Sequence, residues 1–264
     1  GDLDQQETYL PGCTGGNPPA AALAILEPKP LFDPFNPDTR ATAGTGGDWI
    51  LNGVKSMVAR PGECELFVVA TATGDARPTL FIIESGSDGL TFEAEPAMGL
   101  RAASTGRLVL EDVRVPASAM LGEEGDRARI YADCVSGSRI AWSAMSSGTA
   151  QAVLDYVIPY VNERQAFGEP ISNRQSVAFS VSDIAIETGG MRLANWRAAS
   201  RADRGESFAR EAALARRLAA AKGVEIGSAG VQLLGGHGYV KEHPVERWYR
   251  DLRAAGVMEG ALLA

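Results

Sequence analysis

The chain has 264 residues, of which 45% are hydrophobic and 22% charged, a composition typical of a globular protein with an ample core. Its formal net charge of −8 argues against nucleic-acid binding, because that function requires a basic face. No apolar run approaches the roughly 20 residues of a membrane-spanning helix, so we expect no membrane insertion.

The entry segment, residues 1–37, is predicted to be irregular. The stretch PKPLFDPFNPD at its end holds four prolines in eleven residues, and proline interrupts both helices and sheets. The chain begins with Gly and ends in helical, apolar residues, so we expect a fragment of a longer protein.

Residues 48–116 carry the signals of β-strands. The stretches ELFVVATA and TLFIIESG are short runs of β-branched and aromatic residues, bounded by Gly, Pro and Asp. In DWILNGVKSM, Ile50 and Val54 share a face, and Asn52-Gly53 is expected to bend the strand. Short strands without helix-length spacers predict an antiparallel sheet or barrel.

A helical period begins after ASAMLGEEGD. Val177, Val181 and Ile184 recur at helical intervals, and a later Ala-rich segment is predicted to place Leu214 and Leu218 on its apolar face. Three or four long helices are expected to form an antiparallel bundle.

These patterns predict an α+β protein with two domains. An antiparallel β-barrel or sheet domain, residues 1–124 with the entry segment, precedes an α-helical bundle domain, residues 125–264. The boundary is placed near Gly122–Gly125, where the period of the apolar residues changes.

The cysteines and histidines form no recognisable site. Cys13, Cys64 and Cys134 are far apart and odd in number, which fits neither a disulfide framework nor a metal-ligand spacing, and two histidines are too few for a His-rich site. We therefore expect no metal and a reducing, cytoplasmic compartment. The bias of 21 arginines to four lysines is typical of a GC-rich bacterial genome.

Several motifs, in order along the chain, resemble the acyl-CoA dehydrogenase family. GDWILNGVKSM is similar to the family's LNG-K segment, and MGLRAASTGRLVLEDVRVPASAMLGEEG to its MG-R-S-T…F-DV-VP…LG-EG run. YVNERQAFGEPISNRQSV resembles the R-FG-PI…Q signature, and QLLGGHGYVKEHPVERWYRDLRAAGVMEG resembles Q-GG-GY…P-ER-YRD…EG. The resemblance implies the family's middle β-domain and C-terminal helical domain, without its N-terminal helical domain.

The resemblance implies that Glu259 is the catalytic base. In the family, the glutamate of the EG motif removes the α-proton of an acyl thioester, while the β-hydrogen leaves as a hydride to flavin. Met258 and Gly260 beside it suit a dry pocket, in which desolvation raises the basicity of a carboxylate. No basic residue is close to Glu259 in the sequence, so we expect it to be unpaired; a solvated glutamate at a helix end is the alternative.

Some relatives place the base on the first helix of the bundle, immediately before an arginine. That position is Ser138 here, and no histidine flanks it, so we reject it as a base. Arg139 matches the family's arginine near the catalytic pocket, with a surface charge on the helix as the alternative.

The resemblance also implies FAD as the cofactor. Arg164 of ERQAFG offers a planar fork for a flavin pyrophosphate, and Phe167 offers a ring face. In the family this motif reaches the flavin of a neighbouring subunit, which implies a homo- or hetero-oligomer, a dimer or a tetramer. The remaining predicted cofactor-binding residues are Gln175, Gln232, Gly235 and Gly236, although GGHG alone is also explained by a glycine stop at a helix end.

For an acyl-CoA substrate, the resemblance implies contacts from the turn GLRAASTG. The residues concerned are Arg101, Ser104 and Thr105, together with Arg139 and Gly260. Turn chemistry before a strand explains GLRAASTG equally well.

Three positions depart from the family pattern where flavin is bound. Leu26, Ala59 and Ala261 stand where the family carries hydroxyl groups. Each lost hydrogen bond costs about 1 kcal/mol, and three together would weaken FAD binding on the order of a hundredfold. Backbone donors can still serve the flavin.

The implied function is FAD-dependent dehydrogenation of an acyl-CoA to a trans-2-enoyl-CoA in fatty-acid metabolism, with electrons passing to electron transfer flavoprotein. One alternative is a non-catalytic or half-site subunit of a hetero-oligomer, which the lost flavin contacts favour and the retained Glu259 disfavours. Another is a flavin oxidase or monooxygenase on the same fold.

Overall fold

The protein folds into two compact units. The computed structural model describes residues 1–74, 77–123 and 125–259. Within these, the strand unit comprises residues 1–97 and 101–135, and the helical unit comprises residues 98–100 and 136–259. The first long helix begins at Arg127, shortly after the boundary predicted near Gly122–Gly125. The division between the two compact units lies within that helix, after residue 135.

The strand unit is built on a seven-stranded sheet, which confirms the α+β class. Its strands are β1 Ala21–Ala24, β2 Arg40–Ala43, β3 Trp49–Val58, β4 Leu66–Thr73, β5 Arg77–Glu84, β6 Leu90–Ala94 and β7 Gly106–Val115. The order is β1-β4-β2-β3-β7-β6, and β5 pairs with β4. The sheet is mixed rather than wholly antiparallel, because β1 and β2 run parallel to β4. Both are joined to β4 by long stretches of chain, as parallel pairing requires.

The bend predicted at Asn52-Gly53 lies within strand β3. The pairing of β3 with β7 shifts register between Leu51 and Gly53, and Gly53 has φ +150°. A Cβ at Gly53 would lie 2.8 Å from the Cα of Thr39, so glycine permits the close approach.

The entry segment is more regular than predicted. Helix α1, Leu3–Cys13, begins with a capping box in which Asp2 and Gln5 bond each other's backbone N–H groups. The Gln5 amide also donates to the carbonyls of Ser118 (2.6 Å) and Met120 (2.9 Å). The proline-rich stretch contains no helix or strand, as predicted.

A buried ion pair organises the proline-rich loop. The Nζ atom of Lys55, which is fully buried, lies 2.8 Å from Oε1 of Glu27 and 3.3 Å from the carbonyl of Ile25. The Glu27 carboxylate also accepts bonds from the backbone of Asp38 and Thr39 and from the Thr39 hydroxyl. One carboxylate therefore ties both ends of the loop to strand β3.

The helical unit contains three long helices, as predicted. They are α2 Arg127–Glu163, which begins in the strand unit, α3 Gln175–Asp203 and α4 Ala209–Leu234. A short hairpin of β8 Gln165–Ala166 and β9 Glu169–Pro170 joins α2 to α3, and the short helices α5 Gly236–Tyr239 and α6 Val245–Ala255 follow. None of the described helices has the length and apolar character that crossing a bilayer requires.

The predicted apolar face of α4 is wrong at Leu214, which is 51% exposed, whereas Leu218 is partly buried and packs against the core. The buried face carries mainly small residues such as Ala212, Ala215 and Gly223. A Cβ at Gly227 would lie 2.9 Å from the Cα of Tyr249 in α6. Close packing of helices selects small residues for the interface, which residue hydrophobicity alone does not reveal.

Candidate active site and cofactor cavity

Glu259 is buried at the end of the described chain. It follows helix α6, has a left-handed backbone (φ +58°) and is 6% exposed. Its Oε1 atom accepts a hydrogen bond from the Ser138 hydroxyl and one from Nε1 of Trp142 at 3.1 Å. Its Oε2 atom has no hydrogen-bond partner within the described ranges. Among the described residues, the carboxylate is thus held through Oε1 alone.

Both donors come from one face of helix α2. Ser138 and Trp142 are four residues apart, and side chains at this spacing project from the same side of a helix. The two donors meet one oxygen of a glutamate that is 121 and 117 residues away in the chain. The long helix therefore supplies a rigid support for the carboxylate.

Burial raises the pKa of Glu259 above its ordinary value. The hydrogen bonds from Ser138 and Trp142, and the positive charges of Arg216 and Arg139, oppose this increase without cancelling it. A carboxylate with a raised pKa is a stronger base than one in water.

Glu259 forms no ion pair among the described residues, as expected, but two arginines that are distant in the sequence lie near it. Arg216 lies on helix α4 and is fully buried, and Arg139 on α2 is 9% exposed. The charge of each acts on Glu259, although neither is close to it in the sequence. The Nη2 atom of Arg216 donates to the carbonyls of Ala255 and, at 3.1 Å, Met258.

A separate cavity of about 680 Å³ lies where the hairpin and the ends of the long helices meet. It brings together five of the six predicted cofactor-binding residues, namely Arg164, Phe167, Gln232, Gly235 and Gly236. Gln175 begins helix α3 but does not line the cavity, whereas its neighbour Ser176 does.

The hairpin presents an aromatic ring and a cation at the cavity. Phe167 has φ +56° and is 95% exposed, and the guanidinium of Arg174 lies 4.9 Å from its ring centroid. This distance is typical of a cation–π contact. Arg164 and Arg174 thus give the cavity two cationic side chains.

Both histidines of the chain are found at or beside this cavity. His237, which lines it, hydrogen-bonds Tyr160 (2.9 Å), and its ring stacks on that of His243 at 5.3 Å between centroids. His243 in turn bonds Tyr156 at 2.8 Å. This pairing fixes the orientation of the His237 ring. Neither histidine was predicted to have a catalytic role.

The predicted substrate-binding turn lies in the strand unit. Arg101, Ser104 and Thr105 line a cavity of about 360 Å³. Ser104 has a left-handed backbone (φ +42°), and the Thr105 hydroxyl donates to the carbonyl of Glu95 at 3.0 Å. Gly260, the remaining predicted contact, lies outside the described residues. Within the described ranges, no group of three or more His, Cys, Asp or Glu could hold a metal ion.

Comparisons with known proteins identify the family. Residues 22–113 match the acyl-CoA dehydrogenase middle domain, and residues 128–262 match the acyl-CoA dehydrogenase C-terminal domain. The chain belongs to the acyl-CoA dehydrogenase family.

Individual members of the family resemble the chain along most of its length. It is 34% identical, over 98% of its residues, to the mitochondrial short-chain specific acyl-CoA dehydrogenase of Mus musculus. The structure of butyryl-CoA dehydrogenase from Megasphaera elsdenii is 33% identical and superposes with a TM-score of 0.83, covering 92% of this chain and 64% of that one. A glutaryl-CoA dehydrogenase of Mycobacterium smegmatis, solved with FADH2, is 26% identical with a TM-score of 0.86, covering 98% of this chain and 67% of that one. The chain spans 64% of the length of the mouse enzyme.

In this member of the acyl-CoA dehydrogenase family, the sequence did not predict the residues that contact Glu259 or that complete the cavity. Trp142, Arg216 and Arg174 were not singled out, and Ser138 was considered only as a base. A polar residue on the buried face of a helix, such as Arg216 among alanines, is the signal that would have found one of them.

Proposed function

We propose that the chain provides the catalytic base and much of the cofactor site of an acyl-CoA dehydrogenase. The reaction is the α,β-dehydrogenation of an acyl-CoA thioester to a trans-2-enoyl-CoA. The observation that carries the proposal is the Glu259 carboxylate, buried and held through Oε1 alone.

Glu259 takes the α-proton of the substrate on Oε2. The α C–H bond breaks, and its electron pair stays with the substrate to become the new double bond. Burial favours the neutral carboxylic acid that results, because the charged form is the one that desolvation penalises. Ser138 and Trp142 keep Oε1 in place while Oε2 gains the proton.

The residues of the cavity fit FAD, and the family motif at Arg164 implies that this FAD is shared with a neighbouring subunit. Its volume of about 680 Å³ lies within the usual range for cofactor pockets, and Arg164 and Arg174 suit the charges of a pyrophosphate. A Cβ added at Gly235 or Gly236 would meet no heavy atom within 4 Å, so the backbone is open to a ligand there. When bound, FAD supplies the acceptor of the β-hydrogen as hydride.

Two departures from the family pattern lie in the strand unit. Leu26 is half-buried and Ala59 is exposed, and neither side chain carries a hydroxyl that could bind a ligand. Ala261 lies outside the described residues. We therefore assign the cofactor to the arginines and glycines of the helical unit and to backbone donors.

The relatives support a proposal for the substrate and partners. The short-chain specificity in the name of the mouse relative, together with the butyryl-CoA dehydrogenase of Megasphaera elsdenii, makes butyryl-CoA the first substrate to test. We propose electron transfer flavoprotein as the electron acceptor and a homo- or hetero-oligomer as the assembly, since the family motif at Arg164 reaches the flavin of a neighbouring subunit.

The deciding experiment is the anaerobic addition of butyryl-CoA to the purified full-length protein reconstituted with FAD. The visible absorption spectrum of the flavin is recorded before and after the addition. We expect the flavin band to bleach in the wild type. Glu259→Gln should bind butyryl-CoA with near-wild-type affinity and bleach at least roughly a thousandfold more slowly, because it lacks the base.

Other outcomes would redirect the assignment. Fast bleaching in Glu259→Gln would remove Glu259 from the role of base. Failure to bind FAD would favour a partner-dependent subunit, and rapid reoxidation of the reduced flavin by oxygen would favour an oxidase.

A further inference from the structure

Arg216 is a fully buried arginine whose hydrogen bonds go to backbone carbonyls instead of to an acid. It faces inward from helix α4, beside Ala212, Ala215 and Ala219. Its Nε and Nη1 atoms have no hydrogen-bond partner in the part of the chain that the structure describes. Burying a cation without an ion pair is costly, so the residue calls for a physical explanation.

The two carbonyls that Arg216 binds belong to residues just before Glu259 in the chain. Ala255 is the last residue of helix α6, and Met258 immediately precedes the glutamate. The last carbonyls of a helix lack partners within it and carry the negative end of its dipole, which a cation stabilises. The guanidinium therefore fixes the turn in which Glu259 adopts its left-handed backbone, a conformation that is unfavourable for a residue other than glycine.

The charge of Arg216 also acts on the carboxylate without neutralising it. Burial raises the pKa of Glu259, and the positive charges of Arg216 and, to a lesser extent, of Arg139 on helix α2 limit the increase. Burial lowers the pKa of Arg216 to about 10, so the side chain remains charged at neutral pH. The two groups form no hydrogen bond, which leaves Oε2 of Glu259 without a partner among the described residues.

We propose that Arg216 is a positioning residue for Glu259. It clamps the turn that carries the carboxylate and places a positive charge near that carboxylate without bonding to it, so that Oε2 remains open to the substrate. A direct salt bridge would occupy the oxygen that has to accept the proton. This inference rests on the proposed function, because it takes Glu259 to be the base.

The test compares Arg216→Gln with Arg217→Gln, which removes the exposed arginine next to it. In Arg216→Gln we expect the acid limb of the kcat–pH profile to move up by about one pH unit, with KM for butyryl-CoA changed by less than about twofold. Arg217→Gln should leave both at the wild-type values. An infrared difference titration, with Glu259→Gln as the reference, measures the protonation of Glu259 without turnover. In Arg216→Gln, the midpoint of this titration should move by the same amount.

The two readouts separate this inference from the proposed function. If the wild type does not oxidise any acyl-CoA, the proposed function fails, and the infrared titration still decides the role of Arg216. If the Arg216→Gln limb and infrared midpoint stay at the wild-type pH, the role of Arg216 is only structural and the proposal is overturned.

A conservative variant covers the case in which Arg216→Gln does not fold. Arg216→Lys keeps a positive charge, so its acid limb and infrared midpoint should stay within about 0.3 pH unit of the wild type. A displacement of either by about one pH unit in a folded Arg216→Lys protein would contradict the role assigned to the charge.

Discussion

Ser138 donates a hydrogen bond to the Oε1 atom of Glu259. In relatives, either of these two positions can carry the base. Here the position on helix α2 is occupied by Ser138, whose hydroxyl is too weak a base for this role. In the structure they lie together: the serine hydroxyl binds Oε1, and Oε2 has no partner among the described residues. The position on helix α2 thus contributes a hydrogen-bond donor to the proposed active site.

Ser138→Ala is predicted to reduce activity at low pH, because less of Glu259 is then ionised. A hydrogen bond to a carboxylate favours its charged form, so losing it raises the pKa of Glu259 further. Because the base acts as the carboxylate, the acid limb of the kcat–pH profile should move to higher pH, by about one unit. Ser147→Ala is the matched control, since Ser147 is also buried on α2 but donates to the carbonyl of Ser143. An unchanged limb in Ser138→Ala would show that this bond does not tune the base.

Arg164→Gln is predicted to weaken the binding of FAD by roughly ten- to a hundredfold. The substitution removes one of the two guanidinium groups that line the cavity, and a charge-assisted hydrogen bond is worth roughly 1.5–3 kcal/mol. The measurement is a fluorescence titration of the apoprotein with FAD. Arg197→Gln, at an exposed position of α3 outside the cavity lining, should bind as the wild type does. Equal affinities for the two variants would place the phosphates elsewhere.

Lys55→Met is predicted to destabilise the strand unit strongly. The substitution leaves the Glu27 carboxylate buried without its cation, and breaking a buried pair in this way typically costs about 3–5 kcal/mol. Urea denaturation of the purified protein would measure the loss. The control is Lys29→Met, whose ion pair with Asp38 is solvent-exposed and should contribute less than about 1 kcal/mol. Similar unfolding midpoints for both variants would contradict the structural role of the buried pair.

Gly99→Ala is predicted to destabilise the helical unit. A Cβ at this position would lie 2.0 Å from the carbonyl oxygen of Arg250 and 2.9 Å from the Cβ of Ala254, so the backbone must move. Such overpacking costs about 1–3 kcal/mol, which a thermal melt resolves. Gly86→Ala is the control, because no heavy atom lies within 4 Å of its added Cβ. A Gly99→Ala protein that melts with the control would show that the segment can shift at little cost.

Local sequence signals predicted the elements well, and they failed where distant residues meet. The strand runs, the long helices and the α+β class follow from periodicity and turn residues, and a family motif identified Glu259. The surroundings of Glu259 could not be predicted, because Trp142 reaches it across 117 residues and Arg216 belongs to a different helix. Residue spacing within one helix contains no information about such contacts.

Two errors about individual elements have simple physical causes. Helix α1 was missed because its sequence, LDQQETYLPGC, has little apolar periodicity; the capping box at Asp2 supports its first turn instead. The prediction for α4 is wrong at Leu214 because a leucine does not by itself mark the buried face of a closely packed helix. Close contact with α6 requires small residues, and Gly227 satisfies that requirement.

Residues 98–100 belong to the helical unit, although the chain on both sides of them belongs to the strand unit. The backbone N–H of Leu100 donates to Asp251 at 2.7 Å, and Arg250 donates to the carbonyl of Met98 at 2.9 Å. A chimera that joined the strand half of one relative to the helical half of another would therefore combine a three-residue segment and an Arg-Asp pair of different origin. Exchange between relatives should succeed only when residues 98–100 and the Arg250-Asp251 pair come from the same parent. A recombination point near residue 124 separates them and is therefore unsuitable, even though the first long helix begins at Arg127.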